Sequence, residues 1–367
     1  MRCDIYTDGT ITVISQLGQI DVAGTPTATG TGGPYPWISL SGSFYKTSPE
    51  KEGPITTTGT PALLLDSVPT QSTSTVMQSF AIDSDAQELY VVQCIPDGVQ
   101  LDGESAPVSY ADRAKDGDLL LSRMNLATGD VLDYMYLRGF GHGTQFGVQR
   151  TSSGSVSLWL EGDSTAEYFT TNGYGTAIST TPYNAGATVD CSDTTTVTTY
   201  TDGTTPAFTF PAIDPTTNRL CVAANSGSTD EYVYSLYDLA QVEQGTWTPL
   251  KRITRNGGEK GFPQGMASIG EYLYMWVGHG DKDDAYITTL DWNTGDVVQQ
   301  TQVPREPTDG EREPEGLSAQ ATASAVRLCC GFTIRDVERD SDGTPIYDPD
   351  GNMTGTGPRT YTIKHWE

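Results

Sequence analysis

The chain repeats one short pattern five times, and that repeat constrains its fold more than any catalytic-looking residue does. QSFAID…ELYVVQ runs from Gln78 to Gln93, TQFGVQ…LWLEG from Thr144 to Gly162, and FPAIDP…RLCVAA from Phe210 to Ala224. PQGMAS…YLYMWVG follows from Pro263 to Gly278, and PEGLSA…RLCCGF from Pro314 to Phe332. Each copy reads as a β-hairpin: a short apolar strand, a turn rich in Gly, Asp, Ser or Asn, then a strongly apolar strand. The anchors Ala81, Gly147, Ala212, Met266 and Leu317 lie 66, 65, 54 and 51 residues apart, room for about four strands and their loops. A quasi-period of that length, repeated five times, predicts an all-β, five-bladed β-propeller.

Between the repeated hairpins lie further alternating segments that suit outer strands. DLLLSRMNLATGDVLDYMYL (Asp118 to Leu137) and DAYITTLDWNTGDVVQQTQV (Asp284 to Val303) share near-copies of one turn. DEYVYSLYDL followed by TWTPLKRIT serves the third blade, and RTYTIKHW the fifth. The second blade is the least regular, because Ala166 to Tyr200 is rich in Thr, Gly, Tyr and Ser, and long loops are expected there. Forty glycines, 21 prolines and the absence of any sustained 3.6-residue apolar period argue against helices.

Residues 1–66 read differently and are expected to form an attachment or assembly segment with a linker, leaving 67–367 for the propeller. CDIYTDGTITVIS suggests a strand pair, and a Gly/Thr/Pro-rich stretch follows it. Within the same part, Ala62 to Asp66 is the best candidate for a strand that closes the ring by pairing early with late chain.

With 47 acidic against 21 basic residues the formal net charge is −26, which argues against nucleic-acid binding. The six cysteines show no CxxC spacing, and Cys221, Cys329 and Cys330 sit inside apolar strands as small hydrophobes. No apolar stretch approaches membrane-spanning length, so no membrane insertion is expected, and no ordinary secretion signal is read at the N-terminus.

GHGTQFGVQ with its LWLEGD strand, PQGMASIGEYLYMWVG and PEGLS together resemble the five-bladed propeller of certain phage receptor-binding proteins. That propeller is shared with teichoic-acid-biosynthesis protein C-like and helveticin-like proteins. The resemblance covers roughly Ser67 to Glu367 and is strongest from Asp118 to Gly280. The Thr-rich second blade, Glu306 to Glu313 and Asp340 to Gly357 depart from it. It implies a virion-tail adhesion protein that recognises a cell-surface glycan or teichoic-acid-like polymer alongside other phage tail proteins. Avidity then favours a homo-oligomer, a trimer being expected. Two other readings stay open: a glycan-cleaving propeller enzyme and a released helveticin-like bacteriocin.

The candidate ligand-binding residues follow from propeller geometry, in which the starts of the innermost strands converge at one channel mouth. Gln78, Gln145, Gln264 and Glu315 share that register in four blades, with Thr209 in the third. Such a ring either binds sugar hydroxyls or acts as a polar plug. His142 and His279, both in Gly-His-Gly, either face a sugar or satisfy a tight turn, and Tyr174 with Tyr168 and Tyr183 can stack on one. An enzyme is not favoured: no GxSxG or HExxH motif exists, and no catalytic residues are assigned. A glycosidase would need paired carboxylates, for which Asp83, Asp214 and Glu315 are the candidates. No cofactor is expected, although the turns at Asp340, Asp348 and Asp281 leave calcium open.

Overall fold

The computed structural model describes residues 53–151, 153–200, 206–227, 231–256, 262–278, 285–304, 311–322, 325–349 and 354–367, together with short strands between Arg2 and Lys46. His279, the 281–284 turn and residues 350–353 lie outside the described residues. The strands Arg2–Ile5 and Ile11–Ser15 pair antiparallel, as the first hairpin expected.

Five antiparallel sheets form the blades of a propeller. Their innermost strands are Met77–Asp83, Gly147–Arg150, Phe208–Asp214, Pro263–Ile269 and Glu311–Ala321. Beside them lie Glu88–Cys94, Val156–Thr165, Arg219–Asn225, Tyr272–Val277 and Val326–Val337, the five apolar strands of the sequence repeat. Cys221, Cys329 and Cys330 are fully buried on these second strands, where burial raises their thiols. The anchors at the quasi-period, Ala81, Gly147, Ala212, Met266 and Leu317, all line one well along the ring axis.

Apolar cores fill the five junctions between neighbouring blades. Blades one and two share Tyr90, Leu121, Phe146 and Leu158; blades two and three share Trp159, Ile178, Leu220 and Tyr237. Phe210 and Tyr234 meet Met266 and Met275 between blades three and four, and Trp276 meets Phe332 between four and five. The ring closes where Ala62–Val68 becomes the outermost strand of blade five, with Tyr361 opposite Val68 and Ile363 opposite Leu65. Leu65 and Ile363 then join Phe80 and Leu89 of blade one in a common core. Early chain therefore supplies the last strand, and Ile55, whose N–H donates to the Tyr274 hydroxyl at 2.8 Å, is already packed into the ring.

Blade two corrects the expectation of long loops from 166 to 200. Tyr174–Pro182 is a nine-residue strand in which the β-branched Thr176, Ile178, Thr180 and Thr181 suit a pleated surface without forming a continuous apolar run. Thr188–Asp190 leaves its own blade and pairs in parallel with Val131–Arg138 of blade one.

All innermost strands begin at one face, here the entry face, and turn at the opposite hairpin face. Long excursions rise from the entry face. Blade one inserts 95–118 with a short helix, Tyr110–Asp116, capped by Ser109 and ended by Gly117 in the left-handed conformation. Arg113 is buried there between Glu104 at 2.6 Å and Asp118 at 2.8 Å. Blade two contributes 166–173, and the long hairpin of blade five carries 338–349 and 354 at its tip.

The closing strand supplies its own control, since Leu65 is buried while Leu63 is 54% exposed. Leu65→Ala should lower the unfolding free energy by about 3 kcal/mol and Leu63→Ala by well under 1 kcal/mol. Denaturant midpoints read the difference, and equal effects would contradict this closure.

Candidate functional site

At the entry mouth the innermost strands of blades one, four and five each carry a β-bulge at the same place. The register slips between Met77 and Ser79, between Pro263 and Gly265, and between Pro314 and Leu317. The bulged positions hold Gln78, Gln264 and Glu315, three of the four ring residues that the sequence register aligned. Their backbones meet. A Cβ on Gly265 would lie 2.8 Å from the Leu317 nitrogen, and one on Gly316 2.8 Å from the Ser79 Cα, so only glycine permits this approach. Gln264 and Glu315 are buried and Gln78 is half-buried, so the ring sits below the surface and not on an open rim.

Gln145 plays a different part. Its Oε1 accepts the backbone N–H of Met266 at 3.2 Å and of Leu317 at 3.4 Å, while its Nε2 donates to the Phe146 carbonyl at 3.1 Å. It thus ties blade two to blades four and five across the axis. The Thr209 hydroxyl donates to the Ala223 carbonyl at 2.8 Å within its own blade. Along the axis Ala81, Ala212, Ala267 and Ala319 wall a well of about 320 Å3 including its open end.

The first Gly-His-Gly turn is held by a residue that sequence reasoning passed over. Glu161 is buried on the second strand of blade two. Its Oε1 accepts the N–H groups of Gly143 and Thr144 at 2.9 and 3.0 Å, and its Oε2 those of His142 and Gly175 at 3.1 and 2.9 Å. Gly141, at φ 102°, leaves the room this requires, since a Cβ would collide with Glu161 Oε2. Burial pushes the Glu161 carboxyl up to about 7 against the pull of those four donors. His142 stacks obliquely on Tyr174, with ring centroids 4.7 Å apart. Though partly open by surface area, it is enclosed by neighbouring atoms, and burial lowers it to about 4. Tyr174 is itself buried in a run of rings with Phe169 and Phe208, beside exposed Tyr168. The available signal for Glu161 was a lone carboxylate within the apolar run VSLWLEG.

The three candidate carboxylates do not converge. Asp83 ends its strand at the hairpin face, bonded to Arg150 at 2.7 Å and to the N–H groups of Asp85 and Ala86. Asp214 ends its own strand at the same face, accepting from Thr216, Thr217 and the Gly270 N–H. Glu315 lies at the entry face, on the order of 20 Å away by strand length. Tyr183 is also committed elsewhere, donating to Asp133. Asp340 closes a turn by accepting from Asp342 and Thr344, and among the described residues no three His, Cys, Asp or Glu side chains are grouped to hold a metal.

Two measurements test this site. At pH 8, where Glu161 is ionised, Glu161→Gln turns an amide NH2 toward two N–H donors and should cost about 3 kcal/mol of stability. Retained wild-type stability would contradict the four-donor cradle. His142 has a folded value near 4, below the 6.5 of a free histidine, so its contribution is complete above pH 6.5 and is lost as pH falls toward 4. His142→Asn removes that dependence, and its thermal midpoint should fall less steeply than the wild type's between pH 6.5 and 4.

Comparison with known proteins agrees with this geometry. The Staphylococcus aureus phage P68 tail fiber aligns at a TM-score of 0.59 with 17% identity, over 83% of this chain and 52% of the fiber. The chain therefore spans about half the length of that protein. A GH43_1 enzyme from Xanthomonas citri aligns at only 0.38 with 11% identity, over 81% of this chain and 94% of the enzyme. No curated protein matches. Residues 76–337 match the model of the phage 5-bladed beta propeller receptor binding platform domain, and the chain belongs to that family.

Proposed function

We propose that this chain is a host-adhesion module of a phage tail, binding a glycan or related envelope polymer through the entry face of its propeller. Membership of the receptor-binding propeller family is the observation that carries the reading. The distribution of aromatic rings supports the choice of face. Among the described residues the exposed tyrosines are Tyr110, Tyr168 and Tyr347, and each sits on a different entry-face excursion. Exposed tyrosines offer a flat apolar face and a hydroxyl, the combination that suits sugar rings. Residues 1–66, apart from the stretch from Ile55 onward that packs into the ring, serve attachment to the tail, and several linked copies, a trimer in this reading, raise the avidity of individually weak contacts.

Binding, not cleavage, is the activity. The carboxylates available for glycosidic hydrolysis are separated or consumed: Asp83 and Asp214 lie at the far face, and both oxygens of Glu161 are filled by backbone donors. A net charge of −26 disfavours capture of an anionic polymer by charge alone. Recognition then rests on hydroxyl hydrogen bonds and stacking, and should persist as salt rises.

The test incubates the purified chain with host cells and with purified cell-wall polysaccharide. The expected result is retention at both low and high salt, competition with phage adsorption, and no release of reducing sugar. Steady release of reducing sugar would assign a hydrolase instead, and absence of retention would overturn the adhesion reading.

A further inference from the structure

Three side chains at the entry mouth are buried without being used. Glu315 is 3% exposed and Gln264 7% exposed, yet among the described residues neither side chain meets a hydrogen-bond partner, and nor does that of half-buried Gln78. Other polar groups of the same ring are consumed. Gln145 bonds to three backbone groups, Thr209 to Ala223, and the Ser79 hydroxyl to the Gly143 carbonyl at 2.5 Å. A polar plug pairs its groups as Gln145 does, whereas the polar atoms of these three side chains are unpaired without being sealed off, and so stay open to a ligand at the mouth. The unused ones stand at equivalent bulges of blades four, five and one, which are neighbours round the ring and whose backbones touch through Gly265, Gly316 and Ser79.

We infer that Gln78, Gln264 and Glu315 form a subsite for a neutral, hydroxyl-bearing group at the ring axis, the hydroxyls of a sugar unit. The inference rests on the adhesion reading for the source of that sugar. Each amide both donates and accepts, and a hydroxyl does the same, so sugar hydroxyls can bond to all three side chains. Burial, with Glu313 nearby, raises the Glu315 carboxyl well above the usual carboxylate range, which lets it keep a proton to donate. The three side chains carry no positive charge, so they offer a phosphate no counter-charge.

The test uses the full chain with glucose, N-acetylglucosamine, glucose 6-phosphate and calcium chloride as calorimetric probes, and adsorption to host cells in parallel. A neutral sugar should bind, its phosphate ester more weakly. Glu315→Leu and Gln264→Leu should each weaken sugar binding about fivefold or more, the loss of one or two hydrogen bonds. Glu315→Gln, which keeps a donor and an acceptor, should stay within about twofold of the wild type. Thermal midpoints separate this from a structural role. A subsite predicts that the leucine variants melt about as high as the wild type, since no hydrogen bond within the protein is lost, whereas a plug predicts that they melt lower. Leucine variants that keep full sugar affinity, or that lose it only with a lowered midpoint, overturn the subsite. So would calcium binding abolished by Glu315→Gln. Adsorption that survives the leucine variants overturns the subsite and leaves the adhesion reading standing. Sugar binding at the trio by a chain that does not adsorb to cells does the reverse.

Discussion

Five strands converge on one axis, and the closeness of that convergence governs the rest of the molecule. Where the bulges meet, the backbones of Ser79, Gly265 and Gly316 are in contact, and a side chain on either glycine would force them apart. Lower in the ring, alanines at 81, 212, 267 and 319 leave only a thin well. Small residues at the axis allow bulky ones outside it. Trp159, Trp276, Tyr234 and Phe332 then fill the wedges between blades, where the apolar area buried supplies most of the stabilisation. The closing strand follows from the same requirement, since an open ring would expose the core that Leu65 and Ile363 share with Phe80.

What was legible in the sequence is what a local pattern can carry. Alternating apolar positions around Gly/Asp turns located the inner hairpins, and the anchors read at the quasi-period all reached the axial well. Ala62 to Asp66 was readable as the strand that closes a ring by pairing early with late chain, and it does so. The strand Tyr174–Pro182 was not, because its pattern is written in Thr and Ser, residues that serve loops equally well. Nor was the split within the polar ring. Gln145 finds its partners 121 and 172 residues away, so nothing local distinguishes it from Gln78 or Gln264. The bulges that align Gln78, Gln264 and Glu315 show only in the paired register.

An acidic chain must also keep its buried carboxylates tolerable, and it does so with backbone donors. Glu161 takes four N–H groups and Asp214 takes those of Thr216 and Gly270 together with hydroxyls. Arginines pair with other carboxylates: Arg150 joins blade two to Asp83 and Glu88 of blade one, Arg123 bridges Glu88 and Asp133 within blade one, and Arg113 anchors the blade-one insertion. Three of the N–H groups that Glu161 holds, those of His142, Gly143 and Thr144, belong to the residues immediately before Gln145.

The split within the polar ring makes the mouth asymmetric. Blade two is sealed to blades four and five through Gln145, and the Gly143 carbonyl takes the Ser79 hydroxyl of blade one. Blade three contributes Thr209, already bonded within its sheet. The polar groups left over therefore gather on the arc of blades four, five and one, and long excursions from blades five and one rise beside that arc. A ring built from near-identical repeats would offer the same chemistry on every side. With the Gln145 and Thr209 side chains already bonded, the ring's free side-chain groups among the described residues lie only at the bulges of the other three blades, which gives the entry face a direction that the repeat alone does not have.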